Sequence, residues 1–303
     1  MTKPVGAYPA ALTRRGLLAL STAVTIAAPA RSAAGPSVAT VDWAVLETLL
    51  ALGITPVAAT ELLQFREVAV EPPVPASVTD LGLRGMVNFE MLRLVRPELI
   101  LSSNFYASSE ARLRLIAPVQ SFTVYARGVE PFAAAEQMTL ALGRRLGVEQ
   151  AAERYVAETS AEFAALRGRL RGLNGRPVIP INLGDARHFR VFGADSMFGE
   201  TLARLGVANA WTAATSYSAM APIGLEALAR VPDAWIALIP PTPPDAMRIL
   251  GRSALWNALP NVAGRRVLTL DAINPYGALP AARRFARLLI SALEHGGAAP
   301  RAW

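Results

Sequence analysis

A long helix-forming stretch at the centre of the chain limits the possible folds more than any other feature. Residues 132–170 are rich in Ala, Glu, Leu and Arg, and their second part, Glu149 to Leu170, meets no helix breaker before Gly168. As an α-helix, that second part would be about 33 Å long. Its apolar residues predict one buried stripe, made of Ala152, Tyr155, Val156, Phe163 and Leu166. We therefore predict a rigid connecting helix over residues 149–173.

On both sides of this helix, short apolar runs of strand length alternate with helical patterns. The predicted strands are Val38–Val41, Pro56–Ala59, Glu98–Ser102, Ser121–Tyr125, Pro177–Leu183, Phe189–Phe192, Trp235–Ile239 and Val267–Leu270. The predicted helices are Trp43–Leu52, Asn88–Val95 and a last one from Pro280 to about His295. Such alternation indicates βαβ units. We predict an α/β fold of two lobes with mainly parallel sheets, residues 35–148 and 174–303, which the long helix joins and which enclose a ligand cleft.

The first 34 residues have the order of an export signal. Residues 1–33 hold four basic residues and no acid, and Thr13-Arg14-Arg15-Gly16-Leu17-Leu18 is a twin-arginine pattern at the start of an apolar run. Small residues follow, which predicts cleavage near residues 30–34. The alternative is a membrane anchor, but the run is too short to span the roughly 30 Å core of a bilayer. We expect export by the twin-arginine route and a soluble periplasmic protein.

The composition of the remaining chain argues against several classes of function. The net charge is +7, of which the predicted signal carries four, so 26 basic and 23 acidic residues remain. No basic run is interleaved with aromatic residues, which argues against a nucleic-acid partner. The chain has no cysteine and two histidines, and it lacks the glycine-rich, nucleophile-elbow and zinc motifs of common enzymes. Single acids such as Asp80 are expected in turns and caps. Together with export, these observations favour a solute-binding protein that is not an enzyme.

Short strings that keep their order along nearly the whole mature chain point to a known family. In the first predicted lobe they are Leu49-Leu50-Ala51-Leu52-Gly53-Ile54, Glu71-Pro72-Pro73-Val74-Pro75-Ala76-Ser77-Val78, Asp80-Leu81-Gly82-Leu83-Arg84 and Leu115-Ile116-Ala117-Pro118. In the second they are Arg187-His188, Val191-Phe192-Gly193, Asn209-Ala210-Trp211, Leu255-Trp256-Asn257-Ala258-Leu259-Pro260 and Tyr276-Gly277-Ala278. On these residues the sequence resembles the periplasmic ferric-hydroxamate (ferrichrome) siderophore-binding proteins of ABC importers, a group whose lobes are joined by one long helix.

The resemblance implies a monomeric receptor that performs no chemistry and needs no cofactor. The ferric iron would arrive already chelated by the siderophore and would be passed to an inner-membrane ABC permease with its ATPase. The hydroxamate-contacting arginine and tyrosine of the family correspond to Arg84 and Tyr106. A guanidinium fork can donate to the oxygens around the iron, and a phenol adds a directional donor.

The resemblance is looser elsewhere in the expected pocket. Where other members line the pocket with tryptophans, this chain has Ser102 and Asn274, with Tyr217 and Tyr276 at two other matching positions. Four of the five tryptophans, Trp43, Trp211, Trp235 and Trp256, have contexts typical of core residues. This leaves the particular siderophore undecided.

One acid on each lobe is expected to dock the receptor on arginines of the permease. The resemblance assigns that role to Glu110 and Glu226, although both positions also suit a helix N-terminus, where acids are stabilised in any protein. The alternatives are a receptor for another chelate, such as cobalamin, haem or a mixed-type siderophore, an exported two-lobed hydrolase, and a surface adhesion module.

Overall fold

A computed structural model describes residues 2, 35–170, 175–213, 215 and 220–296. The predicted export signal (residue 2 apart) and its cleavage site lie outside the described residues, as do residues 171–174 after the long helix and Tyr217. The described residues between 35 and 296 form one compact unit. Within the described part of the chain, no helix is both long enough and apolar enough to cross a membrane.

Strands and helices alternate through this unit. The strands are β1 (Val38–Thr40), β2 (Ala58–Ala59), β3 (Thr79–Asp80), β4 (Leu99–Ser103), β5 (Val119–Phe122), β6 (Val178–Leu183), β7 (His188–Val191), β8 (Met220–Gly224), β9 (Trp235–Leu238) and β10 (Val267–Thr269). The helices are α1 (Trp43–Ala51), α2 (Leu62–Val68), α3 (Phe89–Val95), α4 (Ala107–Arg114), α5 (Pro131–Leu146), α6 (Glu149–Leu170), α7 (Met197–Leu205), α8 (Pro244–Leu250), α9 (Ala254–Ala258), α10 (Pro260–Ala263) and α11 (Leu279–Glu294). Short 3-10 turns cover Asn104–Tyr106 and Leu225–Arg230.

The first sheet is parallel throughout, as predicted. Its strand order is β3-β2-β1-β4-β5, and every pairing is parallel. Each residue of β1 and β4 is buried, which is expected when helices cover both faces of a sheet. The strand order reverses between β1 and β4. In open α/β sheets, ligands bind beyond the carboxyl ends of the strands at such a reversal.

The second sheet is mixed, so the prediction of mainly parallel pairing holds there for only part of it. The order is β10-β9-β6-β7-β8, in which β10, β9 and β6 are parallel while β7 runs antiparallel to both β6 and β8. Only residues 184–187 separate β6 from β7, whereas a parallel crossover needs a dozen residues or more. The alternating exposure of β7, with His188 and Arg190 outward and Phe189 and Val191 inward, is typical of an antiparallel strand with one wet face.

Of the helix predicted over residues 149–173, the part Glu149–Leu170 is described and is helical, and it belongs to a core shared by both halves. The helix-forming stretch divides at Gly147, whose left-handed φ of 73° ends α5, and α6 then runs over 22 residues. Helix α6 packs against α5, α7 and α11. The largest apolar cluster contains residues of β1 and α5 from the first half and of β9 and α11 from the second. The two halves are therefore held by a continuous hydrophobic core, the main source of stability in a domain of this kind.

Candidate ligand-binding site

A cavity of about 630 Å³ opens at the carboxyl ends of the first sheet. Its walls come from the segments that follow β1 to β5, with contributions from α5 and from the loop before α11. The lining residues are Asp42, Trp43, Ala44, Val45, Glu61, Leu83, Arg84, Gly85, Met86, Ser103, Asn104, Phe105, Tyr106, Phe122, Val124, Tyr125, Met138 and Tyr276. The volume lies in the range that holds a small organic ligand. The cavity therefore occupies the position that the strand order of this sheet favours for a ligand.

Arg84 is held in this cavity by an acid on one side and an aromatic ring on the other. Its Nε donates to Glu61 Oε2 over 2.5 Å, and its Cζ lies 3.7 Å from the centre of the Trp43 ring. Among the described residues, neither terminal nitrogen of Arg84 has a hydrogen-bond partner, and the side chain is 32% exposed. A guanidinium that is fixed through Nε presents those two donors to a ligand in a defined direction. We call Asp42, Trp43, Glu61 and Arg84 the Arg84 cluster.

Asp80 builds the two loops that bring Glu61 and Arg84 together. Its Oδ2 accepts from the backbone N–H of Leu62 at the start of α2, and its Oδ1 accepts from Gly82 N–H, over 3.0 and 2.8 Å. Gly82 has a φ of 76°, a conformation that glycine adopts without steric cost. The backbone N–H of Glu61 donates to the carbonyl of the same Gly82. The turn and capping role expected of Asp80 is thereby confirmed.

Aromatic rings form another part of the cavity wall. Tyr106 ends the 3-10 turn after β4, and its burial raises the pKa of the phenol well above its ordinary value, so it stays a neutral hydroxyl. Tyr125 lies 6.5 Å from Phe105 and 6.1 Å from Tyr276 between ring centres, and it meets Tyr276 edge to face. Such a wall offers ring faces and edges to the carbon framework of a ligand.

Behind this wall, a buried glutamate joins the two halves. Glu47 on α1 is fully buried, and its carboxylate accepts from the backbone N–H groups of Ala278 and Ala281 and from Asn274 Nδ2, the last two over 3.4 and 3.1 Å. Burial raises the pKa of Glu47 to about 8, against the opposing effect of these donors. We call Glu47, Asn274, Gly277, Ala278 and Ala281 the Glu47 cluster.

Tyr125 links this cluster to the cavity, because its hydroxyl donates to the carbonyl of Gly277 over 2.6 Å. The neighbouring residue, Tyr276, lines the cavity. The loop that presents Tyr276 is thus held from the first half of the molecule at two points, by Glu47 and by Tyr125.

The structure brings together three of the six residues predicted to bind ligand. Arg84, Tyr106 and Tyr276 line the same cavity. Ser102 and Asn274 are buried and are not among the lining residues, and Tyr217 lies outside the described residues. Consecutive strand residues face opposite sides of a sheet, and at the end of β4 it is Ser103 that lines the cavity and donates to Asp42 Oδ2 over 2.7 Å. Asn274 instead donates a hydrogen bond to the Glu47 carboxylate.

The two acids expected at the permease surface lie on different halves. Glu110 is on the first turn of α4, directly after the turn that carries Tyr106, and its carboxylate pairs with Arg114 one helical turn later over 2.5 Å. Glu226 is exposed on the 3-10 turn that follows β8.

Several residues of the cavity wall were not predicted from the sequence, although the rule that ligands bind at the carboxyl ends of parallel strands would have identified them. Asp42, Trp43 and Glu61 follow two predicted strands directly, and residues after the carboxyl ends of parallel strands line the ligand crevice. Trp43 was expected to be a core residue. It is 4% exposed and packs on Phe65, but it also forms part of the cavity wall, so that expectation was incomplete.

The fold and the cavity together define a solute-binding protein of the kind with two α/β halves and a connecting helix. The cavity is lined by one guanidinium, two carboxyl groups, three tyrosines and further apolar side chains, and such a set can recognise a small molecule. Across residues 35–170, 175–213, 215 and 220–296, no group of three or more His, Cys, Asp or Glu side chains is placed to hold a metal ion.

Comparison with known proteins assigns the family. The family model described as periplasmic binding protein matches residues 38–273, and the chain belongs to that family. It is 32% identical over 252 residues to the iron(3+)-hydroxamate-binding protein FhuD of Escherichia coli (strain K12), which covers 83% of this chain and 85% of that one. Members of this family are solute receptors of ABC importers and have no enzymatic activity, and they work in the periplasm or outside the cell.

Solved structures agree with this assignment. The siderophore-binding protein FhuD of Vibrio cholerae, solved with Fe³⁺–Desferal bound, superposes with a TM-score of 0.80 at 25% identity and covers 86% of this chain and 98% of its own. The petrobactin-binding protein YclQ of Bacillus subtilis, at 17% identity, shares the fold with a TM-score of 0.68 over 86% of this chain and 92% of its own. The predicted α/β architecture is confirmed.

Proposed function

We propose that this protein captures ferric hydroxamate siderophores and delivers them, as a monomer, to an inner-membrane ABC permease driven by its ATPase. The relatives from E. coli and V. cholerae are described as hydroxamate- and siderophore-binding proteins, which supports the ligand class. The observation that carries the proposal is the geometry of Arg84. Its Nε is fixed by Glu61 while its two terminal N–H groups have no partner among the described residues, in a cavity of about 630 Å³.

A ferric trihydroxamate suits these groups chemically. Its iron is surrounded by six hydroxamate oxygens that carry partial negative charge, although the complex as a whole is neutral. Arg84 would donate to two of these oxygens and the Tyr106 hydroxyl to a third. Phe105, Tyr125 and Tyr276 would pack against the carbon framework of the siderophore. The iron is cargo that brings its own ligands, so we assign the protein no cofactor and no metal-ligating residue.

A fluorescence titration tests the proposal. Trp43 lies in the cavity wall, so a bound ferric chelate is expected to quench tryptophan emission. We expect ferrichrome or ferrioxamine B to bind at micromolar concentration or below. Arg84→Ala should weaken binding about 100-fold, because a charged donor pair is lost. Arg93→Ala, which removes an exposed arginine of α3, is the matched control. A wild-type protein that responds to no ferric chelate would contradict the proposal.

Glu110 and Glu226 are proposed as docking residues, each meeting an arginine of the permease. Glu110 would have to exchange Arg114 for that new partner, at small cost because exposed i,i+4 pairs are weak. We expect Glu110→Arg combined with Glu226→Arg to abolish uptake of labelled ferric siderophore in cells while leaving its affinity for purified protein unchanged. Uptake at the wild-type rate would remove the docking role.

The export route is a separate proposal that depends on residues 1–34. We propose that the Arg14-Arg15 pair directs the chain to twin-arginine export before cleavage near residues 30–34. Replacing both arginines by lysine keeps the charge, and it is expected to leave the full-length precursor in the cytoplasm. Processing of that variant at the normal rate would point to another route.

A further inference from the structure

The charged groups of the cavity are unequal in number. Of the residues that line it, two are acids, Asp42 and Glu61, and one is a cation, Arg84; the others are uncharged. Asp42 is the more buried of the two acids, at 8% exposure, and burial raises the pKa of its carboxyl. The side chain of Glu61 is 17% exposed. A ligand that enters the cavity is therefore exposed to the charges of both Glu61 and Arg84.

The carboxylate that caps α2 is not that of Glu61. Glu61 occupies the position before the first residue of α2, where a side chain usually caps the helix, yet its side chain makes no capping bond. Asp80 supplies that bond to Leu62 N–H instead. The backbone of Glu61 has a φ of 55°, a left-handed conformation that is uncommon for a residue other than glycine. In this conformation its carboxylate contacts Arg84, 23 residues further along the chain.

We propose that Glu61 determines which ligand charge the cavity accepts: neutral and cationic ferric chelates are favoured, and anionic ones are discriminated against. This inference rests on the proposed function. The Glu61 carboxylate balances the charge of Arg84 while leaving its terminal N–H groups to donate to uncharged or partly charged oxygens. An anionic chelate therefore finds hydrogen-bond donors without net positive charge, and it approaches a carboxylate, which is unfavourable. A chelate that carries an ammonium group instead approaches a carboxylate of opposite charge, which is favourable.

Three chelates with one iron-binding framework separate charge from shape. Ferrioxamine B ends in an ammonium, its N-acetyl derivative ends in a neutral amide, and its N-succinyl derivative ends in a carboxylate. We expect the wild-type affinity to fall in that order, by about five- to tenfold between the ammonium and carboxylate forms. In Glu61→Gln the three affinities should converge, and the carboxylate form should bind more tightly than it does to the wild type. Glu61→Asp keeps the charge and should keep the order.

A matched control and a second measurement make the outcome decisive. Glu67→Gln makes the same substitution at an exposed position of α2 outside the cavity, and the order should persist there. In the wild type, the preference should shrink as NaCl is raised, since salt screens charges at a partly exposed site; this readout needs no variant to fold. Equal affinities for the three chelates, or an order unchanged in Glu61→Gln, would contradict the role of Glu61 and leave the proposed function intact. If none of the three chelates bound the wild-type protein, both the proposed function and the role of Glu61 would be contradicted.

Discussion

Two glutamates of the first half, Glu47 and Glu61, have opposite surroundings. The carboxylate of Glu47 is fully buried and is held by uncharged N–H donors from the second half. The carboxylate of Glu61 is partly exposed in the cavity and is held by a single guanidinium. Burial without a charged partner raises the pKa of the Glu47 carboxyl. Glu47 therefore joins parts of the fold, whereas Glu61 holds Arg84, the proposed ligand donor.

The largest expected effect concerns Glu47 and pH. Its folded-state pKa of about 8 lies above the ordinary value of 4.5, so between those values the folded protein binds a proton that the unfolded chain has lost. The stabilisation is complete below the lower value and is lost as pH rises to the higher one, at about 1.4 kcal/mol of unfolding free energy per pH unit. Urea unfolding at several pH values measures it. Glu47→Gln should flatten that part of the profile; an unchanged slope would show that Glu47 titrates normally.

Gly277→Ala is expected to disturb the Glu47 cluster through packing. A Cβ at this position would lie 2.4 Å from both Glu47 Oε1 and the Cβ of Ala281, so the loop must move. We expect a loss of about 1–3 kcal/mol of unfolding free energy and weaker siderophore binding, because Tyr276 is the adjacent residue. Gly168→Ala in α6 is the control, since a Cβ there meets nothing within 4 Å. If both variants unfolded at the wild-type temperature, the crowding inferred at Gly277 would be wrong.

Arg84→Lys tests the Arg84 cluster without removing its charge. Lysine cannot present a planar pair of donors or stack on Trp43 as a guanidinium does. We expect siderophore affinity to fall about tenfold, equivalent to about 1.4 kcal/mol, with the unfolding free energy nearly unchanged because the site is partly exposed. Calorimetric titration and urea unfolding of one preparation give both values. A large loss of stability with little loss of affinity would reverse the roles assigned to the two clusters.

The smallest expected effect lies at the link between the clusters. Tyr125→Phe removes the hydroxyl that donates to the Gly277 carbonyl and keeps the ring that packs on Tyr276. The unfolding free energy should fall by about 1 kcal/mol, while affinity changes by less than about threefold. Measurements on Tyr276→Phe, which keeps both ring and loop, provide the comparison. An affinity loss as large as that of Arg84→Lys would place the Tyr125 hydroxyl among the ligand contacts.

The elements that the sequence predicted well are those whose signals are local. The parallel strands β1 and β4 and the long helix α6 follow from apolar runs and from a helical stripe with few breakers. The antiparallel placement of β7 was missed although its signal was also local, namely a short connection followed by alternating polar and apolar residues. The strand predicted at Ser121–Tyr125 begins two residues earlier, at Val119, because pairing with β4 sets its position.

Contacts between distant residues were beyond such reasoning. Arg84 and Tyr106 were identified through a family resemblance. The position of Glu61 after a predicted strand could have been recognised, but its pairing with Arg84 could not, because the loops around Asp80 fix that contact. In the sequence, Glu47 is one charged residue in a mainly apolar helix. Nothing near it indicates that its partners come from residues 274–281. The choice between Ser102 and Ser103 required the end of β4 to be known to within one residue.

The contact between Glu47 and Ala278 also has a consequence for synthesis, since Ala278 follows Glu47 by 231 residues. The ribosome therefore synthesises the first sheet and most of the cavity wall long before it makes the groups that donate hydrogen bonds to this acid. Until α11 has emerged, the core that it shares with α1, α5, α6 and α7 also lacks its last member. A chain released early would have Arg84 but no Tyr276 and a solvated Glu47. Whatever the route of export, a working receptor exists only once its last helix has been translated.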